Sequence, residues 1–154
     1  MKVKSILFAF ALCLFVSAVC SAQDQLIGTW KLNEARSKLV SGAPKNHTVV
    51  YEMAGDDIKV TVDGTDASGV FTHNEWTGKF DGKDYAVTGD PNSDMRSYRK
   101  LGKRTLILTV KKDGKVTVSG RIVTSANGKT RTVTTTGTDA NGKKFTQVAV
   151  YDKS

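Results

Sequence analysis

Cysteine and histidine are scarce in this 154-residue chain: Cys13 and Cys20 are the only thiols, His47 and His73 the only imidazoles. Both cysteines fall within the first twenty residues, so the rest of the chain must be stabilised by its core or by closure of a sheet, without disulfides. There is no Gly-x-Ser-x-Gly, no Cys/His pair and no phosphate-cradling loop, so the familiar nucleophile and nucleotide signatures are missing. Asp56, Asp57, Asp63 and Asp66 are turn residues, too dispersed for the dense carboxylate loop that calcium requires. Helix signals are nearly absent, and there is neither a linker nor a low-complexity tract.

The one long apolar run is at the start. Lys2 and Lys4 precede Ser5 to Val19, and Cys20-Ser21-Ala22 presents small residues where a signal peptidase reads them. About 15 apolar residues fall short of the ~20 that span a bilayer, which argues against a transmembrane segment. The expectation is a cleaved secretory signal at 1–22 and a single domain at 23–154, secreted or periplasmic. A lipoprotein anchored through Cys20 is the rival, and the bulky Val19 fits a lipobox poorly.

The formal charge is +8 and stays positive once Lys2 and Lys4 are removed. Such a balance serves solubility or attracts anionic partners. The lysines are scattered over turns and aromatics do not interleave with them, so nucleic acid is not an expected partner.

Period-two alternation runs through everything after residue 45. Ile58, Val60 and Val62 share one face, as do Leu106, Leu108 and Val110, and Val116, Val118 and Ile122. Turn signals recur between these runs, among them "AGDD", "DGK" at 81 and 113, and "NGK" at 127 and 141. Strands are predicted near 25–32, 46–54, 57–63, 69–77, 78–81 with 84–88, 94–101, 104–111, 115–124, 129–137 and 144–151. Asn33 caps one or two helical turns over 33–39, stopped by Gly42 and Pro44. The recurrence of "GTDASG" at 64–69 and "GTDANG" at 137–142 reflects repeated turn chemistry. Ten short strands in sequence order have unpaired edges unless the sheet closes. The fold class is therefore all-β, an antiparallel up-and-down β-barrel of about ten strands with one short helical segment.

"LIGTWKLN" at 26–33 resembles the first strand of the lipocalin and fatty-acid-binding-protein (calycin) superfamily, and "DGKDYAVTG" is similar to stretches in uncharacterised secreted bacterial lipocalin-like proteins. The resemblance implies a barrel plugged at one end by Trp30 of the Gly28-Thr29-Trp30 motif. It also implies a small-molecule ligand in the barrel. Two departures stand out. Residues 33–45 are too few for the helix-turn-helix lid of the fatty-acid-binding proteins, and their final Arg-x-Tyr becomes Ala149-Val150-Tyr151, where the tyrosine matches and the arginine does not.

The parity of "KTRTVTTTGTDANGKKF" decides what faces the lumen. A two-residue Asn127-Gly128 turn sets Thr124 opposite Arg131 and Ile122 opposite Val133. Arg131 and Val133 then point inward, and Thr130, Thr132, Thr134 and Thr136 point out. A three-residue loop would reverse the parity. Continuing through Ala140-Asn141-Gly142 brings Arg131 opposite Tyr151. Three roles stay open for Arg131: gripping an acidic head group with Tyr151, stacking over Trp30 as an arginine does in lipocalins, or outward exposure. Trp76 and Tyr85, with Phe71 and Phe80, are either cross-strand packing or a pocket wall. The candidate ligand-binding set is thus Arg131, Tyr151, Trp30, Trp76 and Tyr85, with no cofactor and no metal expected. His73 and Glu75 lie two apart on one strand face: they are either a surface pair facing solvent or, joined by His47, a metal site or acid/base pair.

Three functions fit these features. The first is a monomeric carrier that binds a small hydrophobic or anionic amphipathic ligand in its barrel. The second is a module with a filled core that uses its basic exterior against an anionic polymer or a protein. The third is a barrel enzyme using His73 and Glu75.

Overall fold

A computed structural model describes residues 25–138 and 142–154; the predicted leader at 1–22 and most of the loop Ala140-Asn141-Gly142 lie outside them. Short alternating runs divided by turns become ten strands: β1 (Gly28–Leu32), β2 (Lys45–Ala54), β3 (Asp57–Thr65), β4 (Phe71–Gly78), β5 (Tyr85–Thr88), β6 (Met95–Leu101), β7 (Thr105–Lys112), β8 (Lys115–Thr124), β9 (Thr130–Thr138) and β10 (Lys144–Lys153). Each pairs antiparallel with its sequence neighbours, and β1 pairs with both β2 and β10, so the sheet closes. Closure saturates the backbone groups that an edge strand would leave open. The expected up-and-down barrel is what forms.

Two predicted elements are shorter than their sequence pattern. Among the described residues, helix is confined to one 3-10 turn at Glu34–Arg36, where the Arg36 N–H donates to the Asn33 side chain. A second turn is lost because β10 captures the chain. Ser37 accepts the Val150 N–H through its hydroxyl, and Lys38 bridges Val148. The predicted strand at 78–81 with 84–88 contracts to Tyr85–Thr88. Of 78–81 only an isolated antiparallel bridge from Asp81 to Arg99 remains; the Asp81 carboxylate accepts the Lys83 N–H in the turn that follows, and Phe80 turns into the aromatic core. Val116 also departs from expectation: it is exposed, at the start of β8 beside a register shift between Val110 and Lys111.

Turns after β2, β4, β6 and β8 collect at one end of the barrel, joined by residues 25–27. The connection 33–44 and the turns after β3, β5 and β7 collect at the other, with the end of β9 and the start of β10. Between them the lumen is largely filled. Trp76 packs against Phe80, Tyr85 and Tyr98, with centroids 6.4, 5.7 and 4.8 Å away, and Tyr51 lies edge-on to Phe80 and Tyr98. Val60, Val62, Leu106 and Ile122 complete this core. Each large ring removes ~150–250 Å² from water, so these aromatics dominate burial.

Candidate functional site

The end closed by residues 25–27 is built around Arg131. The β8–β9 turn contains Ala126, Asn127, Gly128 and Lys129, with the Gly128 N–H donating to Ser125 O, so it is longer than a two-residue turn. Adding two residues preserves parity. Thr124 faces Arg131 and Ile122 faces Val133, as expected. Arg131 therefore points inward and is almost fully buried, while Thr134 and Thr136 are exposed. Its guanidinium carbon lies 3.9 Å from the Trp30 ring centroid and 4.3 Å from that of Tyr51, and Nη2 donates to Leu26 O at 2.7 Å. Trp30 is itself fully buried. An indole, a guanidinium, a phenol and the Leu26 backbone thus plug this end.

Tyr151 is the cross-strand partner of Arg131, as the register argument requires. Its hydroxyl donates to Asn46 O at 3.1 Å, away from the plug. Burial pushes the hydroxyls of Tyr51 and Tyr151 far above the ordinary phenol value, and the opposing pull of Arg131 does not cancel this. Trp76 and Tyr85 lie in the aromatic core. The indole N–H of Trp76 donates to Arg96 O, and the Tyr85 hydroxyl donates to Asp81.

Of the five candidate ligand residues, Tyr151 alone lines the cleft at the opposite end. This cleft of about 90 Å³ lies beneath the 33–44 connection, walled by Leu32, Leu39, Leu108, Val133, Ala149 and Tyr151. Gln147 and Thr135 supply its polar wall. Gln147 Oε1 is buried and has no hydrogen-bond partner among the described residues. Lys45, which also lines the cleft, donates to Glu34 at 2.7 Å.

Sequence reasoning missed a second inward arginine, Arg96. It is buried, donates to Asn74 Oδ1 at 3.2 Å and lies 3.7 Å from Asp90 Oδ2. The signal was present in "MRSYRK", where period two puts Arg96 on the face of Tyr98. Leu39 and Gln147 were missed because neither belongs to a recognisable motif. The connection and the last strand meet only after closure.

His73 and Glu75 do come together, on the outer face of β4. The His73 Nδ1–H donates to Asp63 at 2.6 Å, Nε2 is 3.6 Å from Glu75, and Glu75 pairs with Lys59 at 2.7 Å. The hydrogen bond to Asp63 holds the His73 imidazole above its ordinary value, and Lys59 holds the Glu75 carboxyl below its own. All of these groups are solvated, and none borders the cleft. His47 is engaged elsewhere, 3.1 Å from Thr65 Oγ1. Among the described residues no three His, Cys, Asp or Glu side chains group in a way that could hold a metal, and no helix is long and apolar enough to cross a membrane.

No family description matches this chain, and no curated protein is similar to it. The class is defined by architecture: a closed ten-stranded antiparallel barrel, consistent with a calycin-like fold.

Proposed function

We propose that this is an exported lipocalin-like binding protein that takes the apolar end of a small amphipathic molecule into the cleft beneath residues 33–44. The observation that carries this reading is the cleft itself, where the aromatic filling of the lumen stops and an apolar wall opens toward Lys45. At about 90 Å³ it is much smaller than the ~300–1,000 Å³ typical of pockets for drug-sized ligands. The ligand is therefore narrow, such as the end of an acyl chain, with its head group outside or at the rim. Gln147 offers a buried acceptor, so a hydroxyl, amide or protonated acid on the ligand gains a hydrogen bond there. The exported location rests on the leader-like Lys2–Ala22 segment, and N-terminal sequencing of protein from its own source should read from Gln23.

Native mass spectrometry of that protein, combined with displacement of a fluorescent acyl probe, tests the binding. A co-purified small molecule, and a Val133→Phe variant that keeps its β-sheet circular dichroism but loses the probe, are the expected results. If no ligand co-purifies and wild type and variant respond alike to the probe, the cleft does not bind ligand.

A further inference from the structure

Charge is segregated along the chain, and the meander of strands sets each stretch on its own side of the barrel. Between Met95 and Thr138 there are eleven arginines and lysines and one acid, Asp113. Arg96 and Arg131 point inward; the remaining basic residues in this span belong to the exterior or turns of the β6–β9 wall. The β2–β4 wall has the opposite bias, with Glu52, Asp56, Asp57, Asp63, Asp66 and Glu75 set against Lys45 and Lys59.

Register makes the basic wall an ordered surface. Arg99 faces Ile107, Ile107 faces Arg121, and Arg121 faces Thr134, one row across β6, β7, β8 and β9. The adjoining row on the same face is hydroxylic, running Ser97, Thr109, Ser119 and Thr136, with Ser97 covered, Thr109 half-buried, and Ser119 and Thr136 exposed. At the Trp30 end, Lys103 and Arg104 occupy the β6–β7 turn and Lys129 the β8–β9 turn. The Thr124 N–H donates to Arg104 O and ties these turns together. Arg99, Lys103, Arg104, Arg121 and Lys129 are exposed, and none forms an ion pair with a described residue. On the acidic wall, by contrast, Lys59 is paired to Glu75.

We propose that the β6–β9 face binds a linear anionic polysaccharide bearing carboxylate or sulfate groups. Arg99 and Arg121 stand two strand steps apart, ~10 Å, on a backbone fixed by its own ladders. Their guanidinium forks bind carboxylate or sulfate in bidentate fashion, and the hydroxyl row matches the donors and acceptors of sugar hydroxyls. A nucleic acid would call for stacking platforms, and the only aromatic residue between Met95 and Thr138 is the inward Tyr98. A bilayer would call for a continuous apolar patch; on this face Ile107 is half-buried between Arg99 and Arg121, and the exposed Leu101 and Val123 of the next row are separated by Thr105. The proposal is independent of the cleft.

Salt-dependent retention of the whole protein on immobilised heparin and polygalacturonate tests it, with anionic phosphatidylglycerol vesicles and single-stranded DNA as rival partners. The Arg99→Gln/Arg121→Gln double variant should lose at least about tenfold in polysaccharide affinity, the size of one charge-assisted contact. A Lys31→Gln/Lys144→Gln control removes the same charge from other strands and should lose about twofold or less. Equal losses in the two variants overturn the proposal, as does binding to vesicles or DNA without polysaccharide, or no binding at all.

Discussion

Arg131 is a cation inside the barrel that remains there because three neighbours suit it: the faces of Trp30 and Tyr51 and the carbonyl of Leu26. A buried cation–π contact is worth up to ~2 kcal/mol and a charged hydrogen bond ~1.5–3 kcal/mol. Arg131→Gln should therefore destabilise the fold by about 2–4 kcal/mol in urea denaturation. Loss of less than ~1 kcal/mol would show that the plug tolerates its removal. The tyrosines beside it give a pH prediction. Because their folded values lie above the unfolded phenol near 10, the stability they confer is complete below that pH and falls as pH rises beyond it. Spectrophotometric titration should show Tyr51 and Tyr151 ionising only with unfolding. His73 differs, being solvated. Its folded value is raised, so the protonated form is favoured in the native protein, and that advantage is present below about pH 6.5 and lost as pH rises through the folded value. Asp63→Asn should move the His73 NMR titration downward; an unmoved curve would dissociate the shift from the hydrogen bond.

At the level of elements, turn chemistry does much of the specifying. Asp113 and Gly114 have φ of 50° and 74°, the paired positive values of a two-residue hairpin, which joins Lys112 to Lys115. Gly128, at φ 71°, closes the longer β8–β9 turn. A valine at Gly114 or Gly128 must adopt a backbone conformation that its branched Cβ resists, so each variant should lose about 1 kcal/mol or more. Thermal melts matching wild type in both would contradict the turn assignments. The 33–44 connection obeys a different logic, because its bonds reach across to β10. Asn33 donates to Asp152, Ser37 accepts from Val150, and Lys38 bridges Val148. What would otherwise extend a helix becomes a strap over the cleft.

For the whole molecule, the decisive contact joins the first and last strands. β1 and β10 pair from Trp30 with Lys153 to Leu32 with Tyr151, and the Ser154 N–H donates to Thr29 O at 3.0 Å. A circular permutant that links residue 154 to residue 25 and opens the Asp113–Gly114 turn should keep a cooperative melt, since β7 and β8 remain paired along their length. Deleting β10 should abolish that melt, because β1, β9 and the Tyr151 wall all lose their partner. A cooperative melt after the deletion would show that closure is dispensable.

Local patterning by itself determined the strands, their sequential pairing and the parity of β9, because alternation and turn residues act over a few positions. Arg131 could be placed opposite Tyr151 from sequence even though the β8–β9 turn is two residues longer than supposed, since parity survives an even change. Which of the three roles Arg131 plays in the fold was decided by tertiary structure: only closure brings Leu26, Trp30 and Tyr51 around one guanidinium. The same holds for the cleft, whose walls come from β1, β7, β9, β10 and the 33–44 connection. The basic stretch from Met95 to Thr138 is legible in the sequence, whereas the placing of Arg99 and Arg121 in one outward row is decided by the register of the sheet.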